Sequence, residues 1–190
     1  KIVFVYQYYN KGPGTARNSS FAFVKSPFVC LLDAGDENVS SRLDMQISQL
    51  SKGYDICYGS ILENSPGCPV LSRLPATNLS DVRRVLPYRT PFNNVTLMIN
   101  SSLLLQKKLL FPSLRLAEDW AFMANIYASR CKIAILKQDL VVVHTDPLFY
   151  AKRSGWFAFS QISSVIFYMA HNRIILYPEA FLSLLLSFTL

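Results

Sequence analysis

The stretch FVCLLDAGDEN, residues 28–38, places two acidic residues directly after a run of apolar ones. A short continuous apolar run is typical of a strand that is buried on both faces of a sheet. Asp33 and Asp36 therefore follow a strand end, where parallel α/β sheets bind their ligands. Two interpretations stay open from this stretch alone. It is either a solvated turn in which Asp36 helps to cap the next helix, or a carboxylate pair that binds Mg²⁺ or Mn²⁺.

The segments around this stretch alternate between strand and helix patterns. KIVFVYQYY (1–9) and YDICYGSIL (54–62) have the β-branched and aromatic content of strands. Residues 15–25 predict a helix that stops before Pro27. This alternation predicts an α/β fold with a mostly parallel, Rossmann-like sheet flanked by helices.

The segment SSRLDMQISQLSK (40–52) gives the clearest helix pattern. Ser41 and Asp44 have the spacing of a capping box. The apolar residues that share one side of this helix predict its buried face: they are Leu43, Ile47 and Leu50.

The patterns in the remaining chain are weaker. Residues 63–91 predict a loop with a short helix near 79–86, and NVTLMI (94–99) predicts a strand. EDWAFMANIYAS (118–129) predicts a helix, and KIAILKQDLVVVHTD (132–146) contains one or two strands. The predicted inner face of that helix consists of Trp120, Met123, Ala124 and Tyr127.

We expect two parts in the chain: an α/β domain over residues 1–150 and a helical segment over 151–190. Residues 174–190 are apolar but include Pro178 and Glu179, and they fall short of the roughly 20 apolar residues that span a bilayer. An interfacial amphipathic helix at a membrane surface is the expectation. Because the chain opens on a strand pattern without an initiator Met or a signal pattern, we expect it to lack its natural N-terminus.

Composition narrows the class of partner without naming one. The net charge of +7 favours anionic partners, which include nucleotides, phosphates, nucleic acid and acidic membrane surfaces. The four cysteines form no CxxC pair and His occurs twice, so a structural zinc site is not expected. Free thiols in a reducing compartment are the simplest interpretation.

The segment NKGPGTARN (10–18) lies between the first strand and the first helix. A helix N-terminus with basic side chains nearby is suited to bind an anion, and Lys11, Gly14 and Arg17 supply the charge and the close backbone approach. The segment lacks the full GxGxxG and GxxxxGK[ST] patterns. A plain strand-to-helix turn is the competing interpretation.

Acidic residues open the helix at 118–129. Glu118 and Asp119 either favour the helix dipole or include a general base that takes a proton from an attacking hydroxyl. Trp120 either packs in the core or stacks on a sugar ring.

Basic residues and a histidine follow the last strand pattern. His144 closes LVVVH and is either a metal or phosphate contact or a structural residue. Lys152 and Arg153 face either a pyrophosphate or solvent.

The order of these features resembles family-two glycosyltransferases of the GT-A fold. Over residues 1–150 the chain reads NKGPGTARNSSF, FVCLLDAGDENVSSRLDMQISQL, YGS, PFNNVTLMINSSLL, FPSLRLAEDWAF and VVVH. The family pattern has an N-x-G-x-x-x-A-R-N segment, a strand that ends in a DxD-type motif, and a later E-D pair that opens a helix.

The resemblance implies roles for several of these residues. Asp33 and Asp36 match the motif that binds the metal, Mn²⁺ or Mg²⁺, and the nucleotide. His144 matches a further metal or diphosphate contact. Asp119 matches the catalytic base, with Glu118 beside it. The residues expected to contact the substrates, besides Asp33, are Lys11, Gly14, Arg17 and Trp120.

The resemblance also implies a reaction: inverting transfer of a sugar from a nucleotide-sugar, usually a UDP-sugar, to a saccharide or lipid-linked acceptor. We expect a role in bacterial surface polysaccharide synthesis, in the cytoplasm at the inner face of the plasma membrane, without a nucleic-acid partner. Gly35 departs from the family's D-x-D-D motif, because it stands at the third position. The strand and the D-D-G-S-like strand end with which family members begin are expected to be missing.

Two alternatives remain. In the first, the chain is a non-catalytic binding or scaffold module derived from this fold, which Gly35 and the expected absence of the first strands motivate. Otherwise it is a metal-dependent phosphotransferase that uses Asp33 and Asp36, in which case the resemblance of the other motifs is a coincidence.

Overall fold

The computed structural model describes residues 2–74, 76–106, 109–145 and 155–187. These ranges form a mixed α/β fold, which confirms the predicted class. The helices are α1 (Pro13–Phe21), α2 (Arg42–Ser51), α3 (Leu79–Val85), α4 (Ser101–Gln106), α5 (Glu118–Ala128), α6 (Gly155–His171) and α7 (Tyr177–Ser187). The strands are β1 (Phe28–Cys30), β2 (Glu37–Asn38), β3 (Ile56–Asn64), β4 (Leu71–Arg73), β5 (Met98–Asn100) and β6 (Ile133–His144).

The described strands form one sheet in the order β1-β5-β3-β6-β2, with β4 paired to the second half of β3. Only β3 and β6 pair in parallel, and the other four pairings are antiparallel. The prediction of a mostly parallel sheet is therefore wrong for these strands. A strand buried on both faces gives the same apolar run in either direction, so the sequence pattern does not reveal that β5 runs between β1 and β3 in the opposite sense.

The pairings nevertheless place three strand ends at one edge. Because β5 is antiparallel to both β1 and β3, those two strands run in the same direction, and β6 runs with them. The carboxyl ends of β1, β3 and β6 therefore lie on the same side of the sheet. Asp33 follows β1, and His144 is the last residue of β6.

Helix α5 is buried around most of its circumference because it packs between two apolar layers. Phe122, Met123 and Ile126 join the core that lies against the sheet. Trp120 and Ala124 join a second core with α6 and α7. The start of α5, which carries the two acids, is thereby fixed on both sides.

Helix α2 buries only one of the three apolar residues that were predicted to form its buried face. Leu43 and Ile47 are exposed, whereas Arg42, Gln46 and Leu50 are buried. The capping-box prediction is also wrong, since the Ser41 side chain makes no capping hydrogen bond. The physical reason is a need for hydrogen bonds on the buried side. The buried side of α2 meets backbone oxygens that only a hydrogen-bond donor can satisfy, and apolar side chains cannot.

The strand predicted at residues 1–9 is not formed in its described part. Residues 2–6 are exposed, and no described strand lies beside them to share backbone hydrogen bonds. Gln7 connects the segment to α1 instead, because its Nε2 donates to the Thr15 carbonyl oxygen at 3.2 Å and to Ser19 Oγ at 2.8 Å.

The region predicted as a loop over residues 63–91 also holds β4 and the expected helix, α3. The boundary expected at 150/151 and the side chains of Lys152 and Arg153 lie outside the described residues. No helix in the described ranges has both the length and the hydropathy that crossing a membrane requires.

Candidate active site

Arg17 connects three of the segments that the sequence singles out. Its two terminal nitrogens lie 3.1 Å from Asp33 Oδ1 and 2.9 Å from Glu118 Oε1. Its guanidinium carbon lies 5.2 Å from the centre of the Phe111 ring. One planar cation thus joins the first helix, the end of β1 and the start of α5. We call Arg17, Asp33 and Glu118 the Arg17 junction.

Gly14 makes this junction sterically possible. A Cβ atom at Gly14 would lie 3.0 Å from Glu118 Cγ and 2.9 Å from Phe111 Cβ, so any larger residue would push α1 away from α5. Gly14 is buried, which gives it a packing role, while Lys11 lies exposed just before the helix.

A tight turn carries the two aspartates. The Asp36 amide donates to the Asp33 carbonyl oxygen at 3.2 Å. Gly35 has a φ of 95°, in the left-handed region that side chains rarely adopt. The departure from the family motif at this position therefore has a backbone cause, because an acid there would be strained.

The end of β6 lies beside this turn because β2 pairs with β6. The His144 amide donates to Asp36 Oδ1 at 3.4 Å, and His144 Nε2 lies 3.2 Å from Glu37 Oε1. Burial raises the pKa of the Asp36 carboxyl; the His144 amide opposes this, and the Asp33 charge adds to it. The structure thus brings Asp33, Asp36 and His144 to one edge of the sheet, with the histidine ring against Glu37.

A metal ion at this edge of the sheet would depend on the carboxylate oxygens of its aspartates. Among the described residues, no group of three or more His, Cys, Asp or Glu side chains is arranged to hold a metal ion. Asp33 and Asp36 still supply the carboxylate oxygens that hard cations prefer. Mg²⁺ is commonly held by one or two carboxylates, with waters and substrate phosphates as its other ligands. Two protein carboxylates are thus available to such an ion, of which Asp33 already pairs with Arg17, and the sequence predicted His144 as a third ligand.

The two acids at the start of α5 differ in their surroundings. Glu118 is 7% exposed, and burial raises the pKa of its carboxyl; the Asp119 charge adds to this, while Arg17 opposes it. Asp119 is partly exposed, and its Oδ1 accepts the Trp120 amide hydrogen at 2.8 Å. The structure therefore fixes Glu118 in an ion pair and leaves Asp119 as the more accessible of the two acids.

Trp120 lies in the core. It is 4% exposed, and its indole Nε1 donates to the Leu86 carbonyl oxygen at 2.8 Å. Neither face of the ring is open to a sugar. The sequence therefore wrongly predicted a substrate-binding role for Trp120, whose role here is packing.

Sequence reasoning missed Arg42, which is fully buried on α2. Its guanidinium donates to the Leu31 carbonyl oxygen at 2.9 Å and to Asn38 Oδ1 at 2.5 Å. Leu31 comes before Asp33 in the chain, and Asn38 comes after Asp36. Arg42 therefore holds the aspartate turn from both ends. The available signal was the spacing of Arg42 and Gln46, four residues apart on one side of a helix.

We predict that replacing Arg17 with methionine destabilises the protein by about 3 kcal/mol at neutral pH, because the buried Glu118 carboxylate loses its partner. The folded-state pKa of Glu118 lies above its ordinary value, so the folded state binds more protons than the unfolded state. Stability therefore falls as pH rises from the unfolded pKa through the folded one. Without Arg17 the folded pKa rises further, and urea unfolding at pH 5 and pH 8 should show a larger loss at pH 8.

The double variant Arg17→Met/Glu118→Gln is the matched control, since it removes the unpaired charge. It should lose most of the additional pH dependence. Equal destabilisation of the single variant at both pH values would contradict the assigned ion pair.

Comparison with known proteins places these features in a family pattern. A family model described as Glycosyl transferase family 2 matches residues 1–111, which include α1, the Asp33–Asp36 turn and β1 to β5. A search of curated proteins finds no match.

Solved structures with the same fold include those of TarS from S. aureus. TarS 1–349 in complex with UDP-GlcNAc matches with a TM-score of 0.64 and 17% identity, over 84% of this chain and 47% of that chain. Its complex with UDP matches with a TM-score of 0.58 and 19% identity, over 82% of this chain and 45% of that chain. At these identities the likeness shows the GT-A type of fold, and the chain spans about half the length of these structures.

Proposed function

Because the chain belongs to glycosyl transferase family 2, we propose that it takes part in moving a sugar from a nucleotide-sugar to a hydroxyl of a saccharide or lipid-linked acceptor, with inversion. The observation that carries this proposal is the Arg17 junction, which joins the glycine-containing segment, the aspartate turn and the acidic start of α5. A UDP-sugar is the proposed donor, supported by the likeness to TarS structures that contain UDP-GlcNAc and UDP.

Asp119 is the proposed general base. It accepts the proton of the acceptor hydroxyl while that oxygen attacks the anomeric carbon from the side opposite the leaving nucleotide. Glu118 is held by Arg17, so it fixes the start of α5 and with it the position of Asp119. Alignment of the two substrates supplies a large part of the acceleration in such reactions.

Asp33 and Asp36 are the proposed ligands of Mn²⁺ or Mg²⁺. When bound, the ion supplies positive charge against the diphosphate of the donor. Lys11, exposed before α1, and His144, at the end of β6, are proposed to contact the phosphates.

The cellular setting is part of the proposal. Cys30, Cys57, Cys68 and Cys131 are all free thiols, which supports a reducing compartment such as the bacterial cytoplasm. A lipid-linked or polysaccharide acceptor at the inner face of the plasma membrane agrees with the net charge of +7.

Titration calorimetry with UDP tests this proposal. We expect UDP to bind in Mn²⁺ and to bind at least about tenfold more weakly in EDTA, because carboxylates and a diphosphate otherwise repel each other. Asp36→Asn should remove most of the Mn²⁺ effect. Asp44→Asn changes an exposed acid on α2 and should bind UDP as the wild type does.

The alternative function is a non-catalytic binding or scaffold module of the same fold. The observation in its favour is that Asp33, a proposed ligand of the metal, already pairs with Arg17. This alternative predicts that the wild-type protein binds no UDP in the presence of Mn²⁺. That result would reject the proposed transferase.

A further inference from the structure

Helix α7 has an inverted arrangement of side chains. Its outward side carries Phe181, Leu182, Leu185 and Leu186, of which Phe181 is 66% exposed and Leu185 is 53% exposed. Its buried side includes Ser183 and Ser187. A helix on a water-exposed surface normally has the opposite pattern, with its apolar residues buried and its polar residues outside.

Helix α6 continues this surface. An apolar groove of about 670 Å³ lies between the two helices, and Phe167, Tyr168, Tyr177 and Phe181 are among its lining residues. At the start of α6, Trp156 is 75% exposed. We call the outward side of α7, this groove and the exposed start of α6 the α6–α7 face. An exposed apolar surface that extends over two helices is typical of a contact site.

The α6–α7 face carries few charges, and its one acid is paired. Residues 155–187 contain a single acid, Glu179. Both oxygens of that carboxylate accept from Arg83, at 2.9 and 3.0 Å. Arg173 is exposed in the turn between the helices, and His171, the last residue of α6, is also exposed. The face therefore combines apolar side chains with one exposed cation, Arg173, at its margin, which complements a surface that is apolar inside and negatively charged outside.

We propose that the α6–α7 face lies in the interface of a bilayer that contains anionic lipids. Trp156, Tyr168 and Tyr177 are of the types that are enriched where hydrocarbon meets headgroups. The apolar residues of α7 enter the acyl region, and Arg173 stays at headgroup level. The inference goes beyond the proposed sugar transfer and does not depend on it, because vesicle binding needs neither donor nor acceptor.

Vesicle flotation tests this proposal. The protein is expected to float with phosphatidylcholine vesicles that contain phosphatidylglycerol, and to float less with phosphatidylcholine alone. The double variant Phe181→Ser/Leu185→Ser should bind the vesicles at least about tenfold more weakly, since two large apolar side chains are no longer removed from water on binding. Arg173→Glu should weaken binding to the anionic vesicles more than to the neutral ones.

Leu43→Ser is the matched control. Leu43 is an apolar residue with 46% exposure on α2, outside the α6–α7 face, and its replacement should leave flotation unchanged. Wild-type protein that stays at the bottom of the gradient with both vesicle types would overturn the proposal. A dimer in gel filtration that the Phe181→Ser/Leu185→Ser variant converts to a monomer would also overturn it, because a second copy would then cover the face.

Discussion

Asp119→Asn is expected to lower the turnover, relative to the wild-type protein, by a factor of about 10² to 10⁴, the usual contribution of a general base. The asparagine keeps the size of the side chain and can still accept the Trp120 amide hydrogen that Asp119 Oδ1 accepts now. It cannot take the proton of an acceptor hydroxyl. UDP release from a UDP-sugar measures turnover, and calorimetry should show unchanged UDP affinity.

Glu118→Gln is the informative comparison, because it alters the neighbouring acid. Glu118 is bound to Arg17 and 7% exposed, so we expect its replacement to act through the stability of the junction and less through kcat. Wild-type turnover in Asp119→Asn, or a larger loss of kcat in Glu118→Gln, would reject Asp119 as the base.

Arg42→Met is expected to cause a large loss of stability, because Arg42 is fully buried and binds four oxygen acceptors. Arg42 donates to Asn38 Oδ1, Gln46 Oε1, Leu31 O and Val95 O, at distances of 2.5 to 3.0 Å. Leu31 and Gln46 are buried, Val95 is half-buried and Asn38 is exposed. Each buried acceptor left without a donor costs about 1–3 kcal/mol, so the total is about 4 kcal/mol. Urea unfolding should show this as a large decrease of the midpoint concentration.

Arg42→Lys separates charge from geometry, since a lysine keeps the charge but lacks the planar fork. It should recover only part of the stability. Arg84→Met serves as the control, because that side chain is 80% exposed, and it should unfold near the wild-type midpoint. An Arg42→Met variant that unfolds at the same urea concentration as Arg84→Met would contradict the assigned network.

Much of the candidate site was predictable from local patterns. The apolar run before Asp33 located a strand end, and the acids at 118–119 located a helix start. The ion pairs were not predictable, because Arg17 and Glu118 are 101 residues apart and nothing in either segment specifies the partner. The placement of Trp120 was also undecided, since a helix that is apolar on most sides does not show which side faces solvent.

The fold was also predictable only in part. Strand and helix content followed from the periodicity of apolar residues, and β3, α2 and α5 lie near their predicted positions. The direction of β5 did not follow, and neither did the buried side of α2. Both depend on which backbone groups meet across the sheet.

The sequence by itself determined the kind and order of most elements, although not the extended segment at residues 2–9 or β4, and it determined the residue types that a sugar transfer would need. It also placed a glycine at position 35, where the turn has a φ of 95°. Only the tertiary structure decided which charges meet: Arg17 between Asp33 and Glu118, and Arg42 among neutral oxygens. The physical reason is that local propensity depends on near neighbours, whereas burial makes every polar group depend on distant ones for its partner.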